Sequence, residues 1–469
     1  MGTKNNISRR QFLGQASCAA VGSTSIFNTL FNLKSISSFL GQSTTATGDY
    51  KALVCLLNAG GLDSFNMLVR KDTSGYNEYA ATRSNLALAR SSLLDISYTI
   101  DGKTFGLHPA LPRMRTMFNT GKLSFVSNVG TLIQPTTKTQ FYNGSVPLPL
   151  GLYSHSDQVL HWQTGIPDQR LATGWAGKIA DLLSSANQNQ TVSMNISLSG
   201  SNVFQTGNNS VEFSLHPENG ALGINGFNND WIYNTLKTNA INGMVNGTYQ
   251  DVFKKTYVEK VKKGIDGKAI LSPILDNPPV YNVPFSDNDL SKSFRMIANT
   301  IAGREQLGVT RQIFFVEFGG WDHHDELLQN QIDMFTVLDN ALYEFDAALS
   351  QLNVNDCVTT FSLSEFARTL TSNGNGTDHA WGSNVFVLGG PVNGTQLYGQ
   401  FPSLVLGNAN PLEIGGGVLI PTVSTDAYFA EIAMWFGVPA SELSTLFPNI
   451  GHFYDTGSGD NPIGFLDLN

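Results

Sequence analysis

The sequence predicts an α/β protein whose mainly parallel sheet is covered by helices on both faces. Three observations support this class: apolar runs of strand length, helical patterns between those runs, and polar clusters where the runs end. A strand, a crossover helix and a second parallel strand form a right-handed unit, and a sheet built from such units is buried on both faces. The 469 residues, 41% hydrophobic and 14% charged, are sufficient for a large core of this kind.

Strand patterns and helical patterns alternate along the chain. The apolar runs have the length of buried strands, and the helical patterns place apolar residues at i, i+3, i+4 and i+7. The pattern 331–352 is the longest, and we expect it to be a crossover helix packed on the sheet. The predicted strands lie in 51–61, 122–130, 191–200, 313–318 and 358–363, and the predicted helices in 108–121, 154–165, 175–185 and 331–352.

The amino terminus predicts export. The segment SRRQFLGQASCAAVG places Arg9 and Arg10 ahead of a mildly apolar stretch, which is typical of a twin-arginine signal. Polar residues interrupt that stretch, so we expect no stable membrane span after the signal is removed. Residues 1–43 are therefore predicted to be signal peptide and linker, with the twin-arginine translocase as partner during export and the periplasm or the medium as destination.

Residues 44–469 are predicted to form a single α/β domain. Within it, about 198–286 is rich in Asn, Gly and Pro and less regular in periodicity, and we interpret it as a cap or insertion beside the sheet. The formal charge of −9 and the lack of a basic stripe argue against a nucleic-acid partner.

Acidic and histidine side chains follow two of the predicted strands and recur in the segment GTDHAWG. Because the carboxyl ends of parallel strands form the edge where ligands bind, we expect these groups to meet there. Oxygen and imidazole donors are a plausible ligand set for a hard or borderline metal ion. The predicted ligands are Asp322, His324, Glu365, Asp378 and His379, with His323 as the alternative to its neighbour His324.

Asp63 follows the first predicted strand by way of a Gly pair. Gly60 and Gly61 allow a sharp backbone turn, which would present the carboxylate at the same edge of the sheet. A structural cap of the turn is the alternative interpretation. The later clusters favour a ligand, so Asp63 joins the predicted metal set.

Ser154 is the candidate nucleophile, because it lies at the start of the helical pattern 154–165. The unpaired N–H groups and the positive end of a helix dipole would stabilise an alkoxide or a bound oxyanion there. The alternative is an N-cap, a position that serine prefers, and Ser156 could be that cap while Ser154 or His155 faces the site. Arg368 could clamp an anionic oxygen or form a structural salt bridge. The predicted catalytic set is Ser154, His155 and Arg368.

Taken together, the motifs resemble those of a known family. NAGGLDSFN, YSHSDQ, GGWDHHDE, SEFART, GTDHAWG and VLGG, in this order, are similar to a widespread twin-arginine-exported bacterial family of unknown function (domain of unknown function 1501) in the alkaline-phosphatase/sulfatase-like superfamily. The resemblance covers about 51–399 and implies a three-layer alkaline-phosphatase-like fold.

The superfamily resemblance also implies a metal site. Its members carry an Asp after the first strand, a nucleophile at a helix amino terminus and later Asp and His ligands, usually for two zinc or manganese ions. The residues in the corresponding order are Asp63, Ser154, Asp322, His324 and His379. This sequence departs from the superfamily pattern in two ways. One residue separates Asp322 from His324, where three are common, and Glu365 stands where an Asp-His pair would follow the next strand. We therefore expect one ion, or two held by more carboxylate.

The expected function is that of an exported metal-dependent hydrolase of phosphoric esters, acting on a small anionic ester. Sulfuric esters are disfavoured because neither the cysteines nor Ser154 and Ser156 lie in the C/S-x-P-x-R setting that formylglycine sulfatases need. The alternative is a non-catalytic exported or cell-surface binding protein that has kept the fold.

Overall fold

A computed structural model describes residues 50–228 and 231–468 of the chain. The predicted signal segment 1–43 lies outside these residues. The strands are β1 Lys51–Leu57, β2 Leu68–Arg70, β3 Leu94–Ile100, β4 Lys103–Leu107, β5 Leu123–Gly130, β6 Asn195–Ser197, β7 Phe213–Ser214, β8 Arg311–Glu317, β9 Val358–Leu363, β10 Ser383–Gly389, β11 Leu397–Tyr398 and β12 Val423–Ser424. The helices are α1 Ser64–Met67, α2 Thr73–Arg83, α3 Pro112–Asn119, α4 Lys138–Asn143, α5 His155–Thr164, α6 Trp175–Leu182, α7 Ile232–Val245, α8 Val252–Leu275, α9 Asp289–Ala302, α10 Arg304–Leu307, α11 Leu327–Gln351, α12 Thr425–Phe436 and α13 Leu443–Leu446.

A nine-stranded sheet forms the centre of the fold. Its strand order is β11-β5-β10-β9-β1-β8-β6-β7, with β12 also paired to β5. Strand β10 runs antiparallel to both of its neighbours, β5 and β9, whereas the other described pairings in this sheet are parallel. A separate three-stranded sheet has the order β2-β4-β3. The prediction of a mainly parallel sheet is confirmed.

Both faces of the central sheet are covered. Side chains of β1 alternate between two apolar clusters, with Val54 in one and Leu53 in the other, as the two-residue period of a strand requires. The first cluster includes Phe335 of α11 and Phe294 of α9. The second includes Trp175 of α6 and residues of α12. Helices therefore lie on both faces, which confirms the predicted three-layer α/β class.

The crossover helix α11 carries more than an apolar stripe. Its acidic residues Asp339, Glu344 and Asp346 are also buried. Asp339 accepts hydrogen bonds from the first backbone N–H groups of α3, at 3.1 Å from Arg113 N and 2.7 Å from Met114 N. These acids therefore fix neighbouring segments to the helix instead of facing solvent.

Asp339→Asn is expected to flatten the pH dependence of stability between about pH 4 and pH 6. Burial raises the pKa of Asp339 to about 6, against the opposing effect of the N–H groups of Met114 and Arg113. The folded protein thus keeps a proton that the unfolded chain has lost, so stability falls as the pH rises through this window. The loss from this group is on the order of 3 kcal/mol. Urea unfolding at a series of pH values measures it, and a variant with the wild-type slope would contradict the assignment.

The segment 198–286 contains β7, α7 and α8. Helix α8 packs against the edge strand β7, where a Cβ at Gly267 would lie 2.6 Å from the ring of Phe213. A side chain at residue 267 would therefore have to displace the ring of Phe213. Within the described part of the chain, no helix is long and apolar enough to cross a membrane.

Candidate metal centre

The segments that carry the predicted site residues meet because three strands end side by side. In the parallel register of β8, β1 and β9, Leu57 lies beside both Glu317 and Leu363. The loops after these strands are then tied together: Gly60 N donates to Glu365 Oε1 at 2.8 Å, and Trp321 N donates to the carbonyl of Ala59 at 3.1 Å. The carboxyl edge of the sheet is therefore the place where the predicted ligands converge.

The turn after β1 leaves no space for a side chain. Gly60 has φ +119, and a Cβ there would lie 2.5 Å from the backbone nitrogen of Asp322. Both the backbone conformation and the close approach require glycine. The Gly pair that the sequence shows after the first strand thus sets the position of Asp322.

Gly60→Ala is expected to lower both stability and metal affinity. Its left-handed φ alone costs about 1–3 kcal/mol with a side chain, and the new methyl group displaces the backbone of Asp322. Gly121→Ala is the matched control, since Gly121 has φ +82 but open space around it. Urea unfolding and metal content of both variants separate the two effects. Equal metal affinities in the two variants would contradict the role of Gly60.

Asp322 lies at the centre of the cluster, with imidazole nitrogens on both carboxylate oxygens. Its Oδ1 lies 3.1 Å from His324 Nε2 and 3.3 Å from His379 Nε2, and its Oδ2 lies 3.5 Å from His155 Nε2. The two nitrogens His324 Nε2 and His379 Nε2 are 3.1 Å apart. Ligand atoms of His155, Asp322 and His379 all lie within 4.8 Å of one another, a grouping that could hold a metal ion.

The other ring nitrogen of each histidine is bonded to an oxygen acceptor. His379 Nδ1 donates to the carbonyl of Tyr153 at 2.8 Å, and a carbonyl can only accept. His155 Nδ1 lies 2.8 Å from Glu365 Oε1, and His324 Nδ1 lies 3.1 Å from Asp378 Oδ1. Nδ1 therefore carries the hydrogen in the neutral rings, and the Nε2 lone pairs point toward Asp322. Metal-binding histidines have the same outer hydrogen bond.

The donor set fits a divalent cation. Ligands at about 2.0–2.2 Å from a tetrahedral zinc ion are separated by roughly the 3.1–3.5 Å found between these nitrogens and oxygens. Imidazole and carboxylate donors also suit manganese. Without a cation, facing lone pairs on two imidazoles beside a carboxylate repel one another.

Charged neighbours set the protonation state of the cluster. Partial burial raises the pKa of Asp322, but nearby positive charge, that of the Arg368 guanidinium first, outweighs it, so the pKa lies below its usual value. Burial lowers the pKa of His379, against the hydrogen bond to the carbonyl of Tyr153. Both groups are thus in the form that binds a cation at neutral pH.

Arg368 lies beneath the cluster, buried, and its Nη2 donates to Asp322 Oδ1 at 2.6 Å. Burial lowers its pKa, against the attraction of Asp322. Its Nε and Nη1 are enclosed and have no hydrogen-bond partner among the described residues. Arg368 therefore holds Asp322 in position through a hydrogen bond. The histidines lie on the exposed side of the Asp322 carboxylate.

Asp63 and His323 lie outside the group around Asp322. Both side chains are buried. Asp63 forms an ion pair with the equally buried Arg83, and His323 Nε2 lies 3.3 Å from the sulfur of Met334. Of the two adjacent histidines, His324 therefore faces the candidate site and His323 the interior.

Ser154 is the N-cap of α5, where its Oγ accepts a hydrogen bond from the amide of Asp157 at 3.5 Å and lies 3.1 Å from Ser156 Oγ. The next residue, His155, is the one whose ring reaches Asp322. Sequence reasoning did not identify the carbonyl of Tyr153 as a partner of His379. Its one unusual feature, φ +71 in a non-glycine residue, is a property of the backbone that the sequence does not display.

The fold and this site define an α/β protein with a candidate metal centre at the carboxyl edge of a mainly parallel sheet. Residues 283–415 match the sequence model of a family described as "Protein of unknown function (DUF1501)". This match, which covers part of the chain, agrees with the family resemblance that the motifs indicate. No curated protein matches the chain.

Solved structures with similar architecture include three at low identity. The PsFucS1 sulfatase from Pseudoalteromonas sp. is 8% identical, with 87% of this chain and 71% of that chain covered and a TM-score of 0.35. Ps i-CgsB in complex with k-i-k-neocarrahexaose is 9% identical, with coverage of 85% and 72% and a TM-score of 0.32. The lipoteichoic acid synthase LtaP from Listeria monocytogenes is 8% identical, with coverage of 83% and 80% and a TM-score of 0.28. Likeness at this level carries no inference about the substrate of this chain.

Proposed function

We propose that this protein is an exported, metal-dependent hydrolase of phosphoric esters. The observation that carries the proposal is the convergence of three imidazole Nε2 atoms on one carboxylate, each imidazole held from behind by an oxygen acceptor. An arrangement of this kind stabilises little on its own, because bare lone pairs face one another. In the neutral rings it is an arrangement that suits a bound divalent cation.

In this proposal some of the predicted residues bind the cation, and others orient the histidine rings that bind it. The cation, zinc or manganese as one ion or two, would be held by Asp322, His155, His324 and His379. Glu365 and Asp378 orient the rings of His155 and His324 through their Nδ1 atoms. His155, which the sequence suggests as a catalytic residue, thus becomes a ligand.

When bound, the cation would supply polarisation of an ester oxygen and a lowered pKa for a coordinated water. The protein's own groups prepare the site for that chemistry. Arg368 holds Asp322 in place and keeps its carboxylate ionised. Ser154, half-buried at the start of α5 and next in sequence to His155, is the candidate nucleophile, and its Oγ accepts a hydrogen bond from the Asp157 amide. A small anionic ester would bind on the exposed side of Asp322.

The proposed reaction takes place outside the cytoplasm. The twin-arginine segment supports export by the twin-arginine translocase to the periplasm or the medium. This route carries folded proteins, so the cation can be bound before export. Phosphoric esters are favoured over sulfuric esters because the segments around Ser154 and the cysteines lack the C/S-x-P-x-R pattern.

The test is metal analysis and turnover on protein matured through its own export pathway. Inductively coupled plasma mass spectrometry should find a tightly held divalent ion that Asp322→Asn/His379→Ala loses. The wild type should then hydrolyse p-nitrophenyl phosphate or bis(p-nitrophenyl) phosphate faster than p-nitrophenyl sulfate, and the double variant should not. A metal-loaded wild type without turnover would overturn the hydrolase and favour the alternative, an exported binding protein. A metal-free wild type as stable as the variant would overturn the metal site itself.

A further inference from the structure

Exposed apolar side chains are concentrated on one part of the molecule, the helix pair α7 and α8. Of the sixteen large hydrophobic residues that are exposed in the described chain, eight lie between 222 and 257. Phe253 is the most exposed of these eight at 86%, and Ile232 of α7 is 68% exposed. We call seven of them the helix-pair face: Trp231, Ile232, Tyr233, Leu236, Val252, Phe253 and Tyr257. A soluble surface rarely collects so many large apolar side chains without a binding role.

The same segment is basic in an acidic protein. Residues 231–276 carry seven lysines and four acidic residues, a net charge of +3, whereas the whole chain has a net charge of −9. Lys254 and Lys255 are exposed directly beside Phe253. The rest of the molecule would repel an anionic surface, so this segment is the part that such a surface would attract.

The chemistry of the helix-pair face matches that of a membrane interface. Trp and Tyr rings favour the headgroup level of a bilayer, and the rings of Trp231 and Tyr233 lie together with centroids 4.9 Å apart. Behind them, a groove of about 920 Å³ opens between the two helices, and its lining includes Phe227, Met244 and Val261. Lysine side chains beside an apolar surface can bury their stems in it and keep their charge at the level of the lipid phosphates.

We propose that the helix-pair face docks the protein on an anionic lipid bilayer. Phe253, Ile232 and Leu236 enter the boundary between headgroups and acyl chains, and the lysines of α8 contact anionic headgroups. The occupant is a bilayer and not a soluble anion, because the face pairs its lysines with large apolar side chains that a soluble anion would leave in water. This inference rests on α7 and α8 alone and is independent of the proposed hydrolase.

The experiment is vesicle flotation of the full matured protein. Vesicles of phosphatidylcholine with phosphatidylglycerol should carry the protein to the top of the gradient, and vesicles of phosphatidylcholine alone should carry much less. Ile232→Ser/Leu236→Ser/Phe253→Ser and Lys254→Glu/Lys255→Glu should each lower the bound fraction, the lysine variant by roughly tenfold or more in partition coefficient. The control Leu150→Ser/Val280→Ser changes two exposed apolar residues elsewhere and should bind like the wild type.

Two results would overturn the proposal. One is the same weak flotation with both vesicle types, unaffected by the variants. The other is a dimer in light scattering that the triple serine variant dissociates while flotation is unchanged, since the helix-pair face would then be an interface between copies of this chain. Circular dichroism shows that the fold of each variant is intact. Flotation does not depend on ester hydrolysis, so a failure here is distinguishable from a failure of the proposed function.

Discussion

Asp322→Asn is expected to abolish tight binding of a divalent cation, together with any hydrolysis that depends on it. Among the residues that the structure describes, Asp322 is the one whose side chain lies beside the Nε2 atoms of His155, His324 and His379. The asparagine amide has no negative charge and offers only one oxygen to the cation. The cation affinity should therefore fall by far more than the roughly 10–100-fold that is lost when a hydrogen-bond partner of a ligand is removed.

Asp378→Ala provides the graded comparison. Asp378 contacts only the outer nitrogen of His324 among the three rings, at 3.1 Å, and its side chain is 61% exposed. We expect its loss to weaken cation binding by about 10–100-fold without abolishing it. Competition with a fluorescent chelator measures the cation affinities of both variants. Because Asp322→Asn removes the charged partner of the buried Arg368, thermal unfolding is used to check that this variant is folded. Indistinguishable affinities for the two variants would contradict the division into ligands and outer partners.

Arg83→Met is expected to destabilise the protein by about 3–5 kcal/mol. The side chains of Arg83 and Asp63 are 0% and 1% exposed, so removal of the guanidinium leaves an uncompensated carboxylate in the interior. Arg83 Nη1 also donates to the carbonyl of Thr369 at 3.1 Å, a contact that ties α2 to the segment after Arg368. Urea unfolding should show the loss, whereas a loaded cation should stay bound.

The exposed pair on α8 is the matched control. Lys262 and Asp266 are 50% and 43% exposed and 2.9 Å apart, and Lys262→Met should cost only about 0–1 kcal/mol. The double variant Asp63→Leu/Arg83→Met should recover part of the stability, because both buried charges are gone. Loss of the cation in Asp63→Asn at unchanged stability would instead make Asp63 a ligand, as the superfamily resemblance implies.

Secondary structure near the site was largely predictable from local patterns. The runs at 52–57 and 313–316 are apolar throughout, and 358–363 consists of apolar and hydroxyl side chains, all of them buried as strands covered on both faces require; a polar residue follows each run. The long helix is predicted from its 3.6-residue period and is observed at 327–351. Polar groups at the ends of adjacent strands then meet because the strands are parallel.

Other features depend on contacts that no local pattern carries. His323 and His324 are chemically identical, and only the backbone directs one inward to Met334 and the other to Asp322. Arg83 looks in the sequence like any surface arginine of a short helix, yet it is the buried partner of Asp63. Because several apolar residues of α7 are exposed, its apolar and polar residues do not alternate with a clear helical period. The sequence therefore shows only an irregular segment there.

Strand β1 pairs with β8 and β9, which the ribosome makes roughly 250 and 300 residues later. At a translation rate of about 5–20 residues per second, the interval between the synthesis of the apolar segment KALVCLL and that of its first partner strand is on the order of ten to fifty seconds. Throughout that time it is an unpaired, apolar segment with a single charge, that of Lys51, and it is able to associate with other chains. We therefore expect the yield of folded protein to depend on the elongation rate and on chaperone binding to this segment. Slower translation between 57 and 311 should increase aggregation even though every final contact is unchanged.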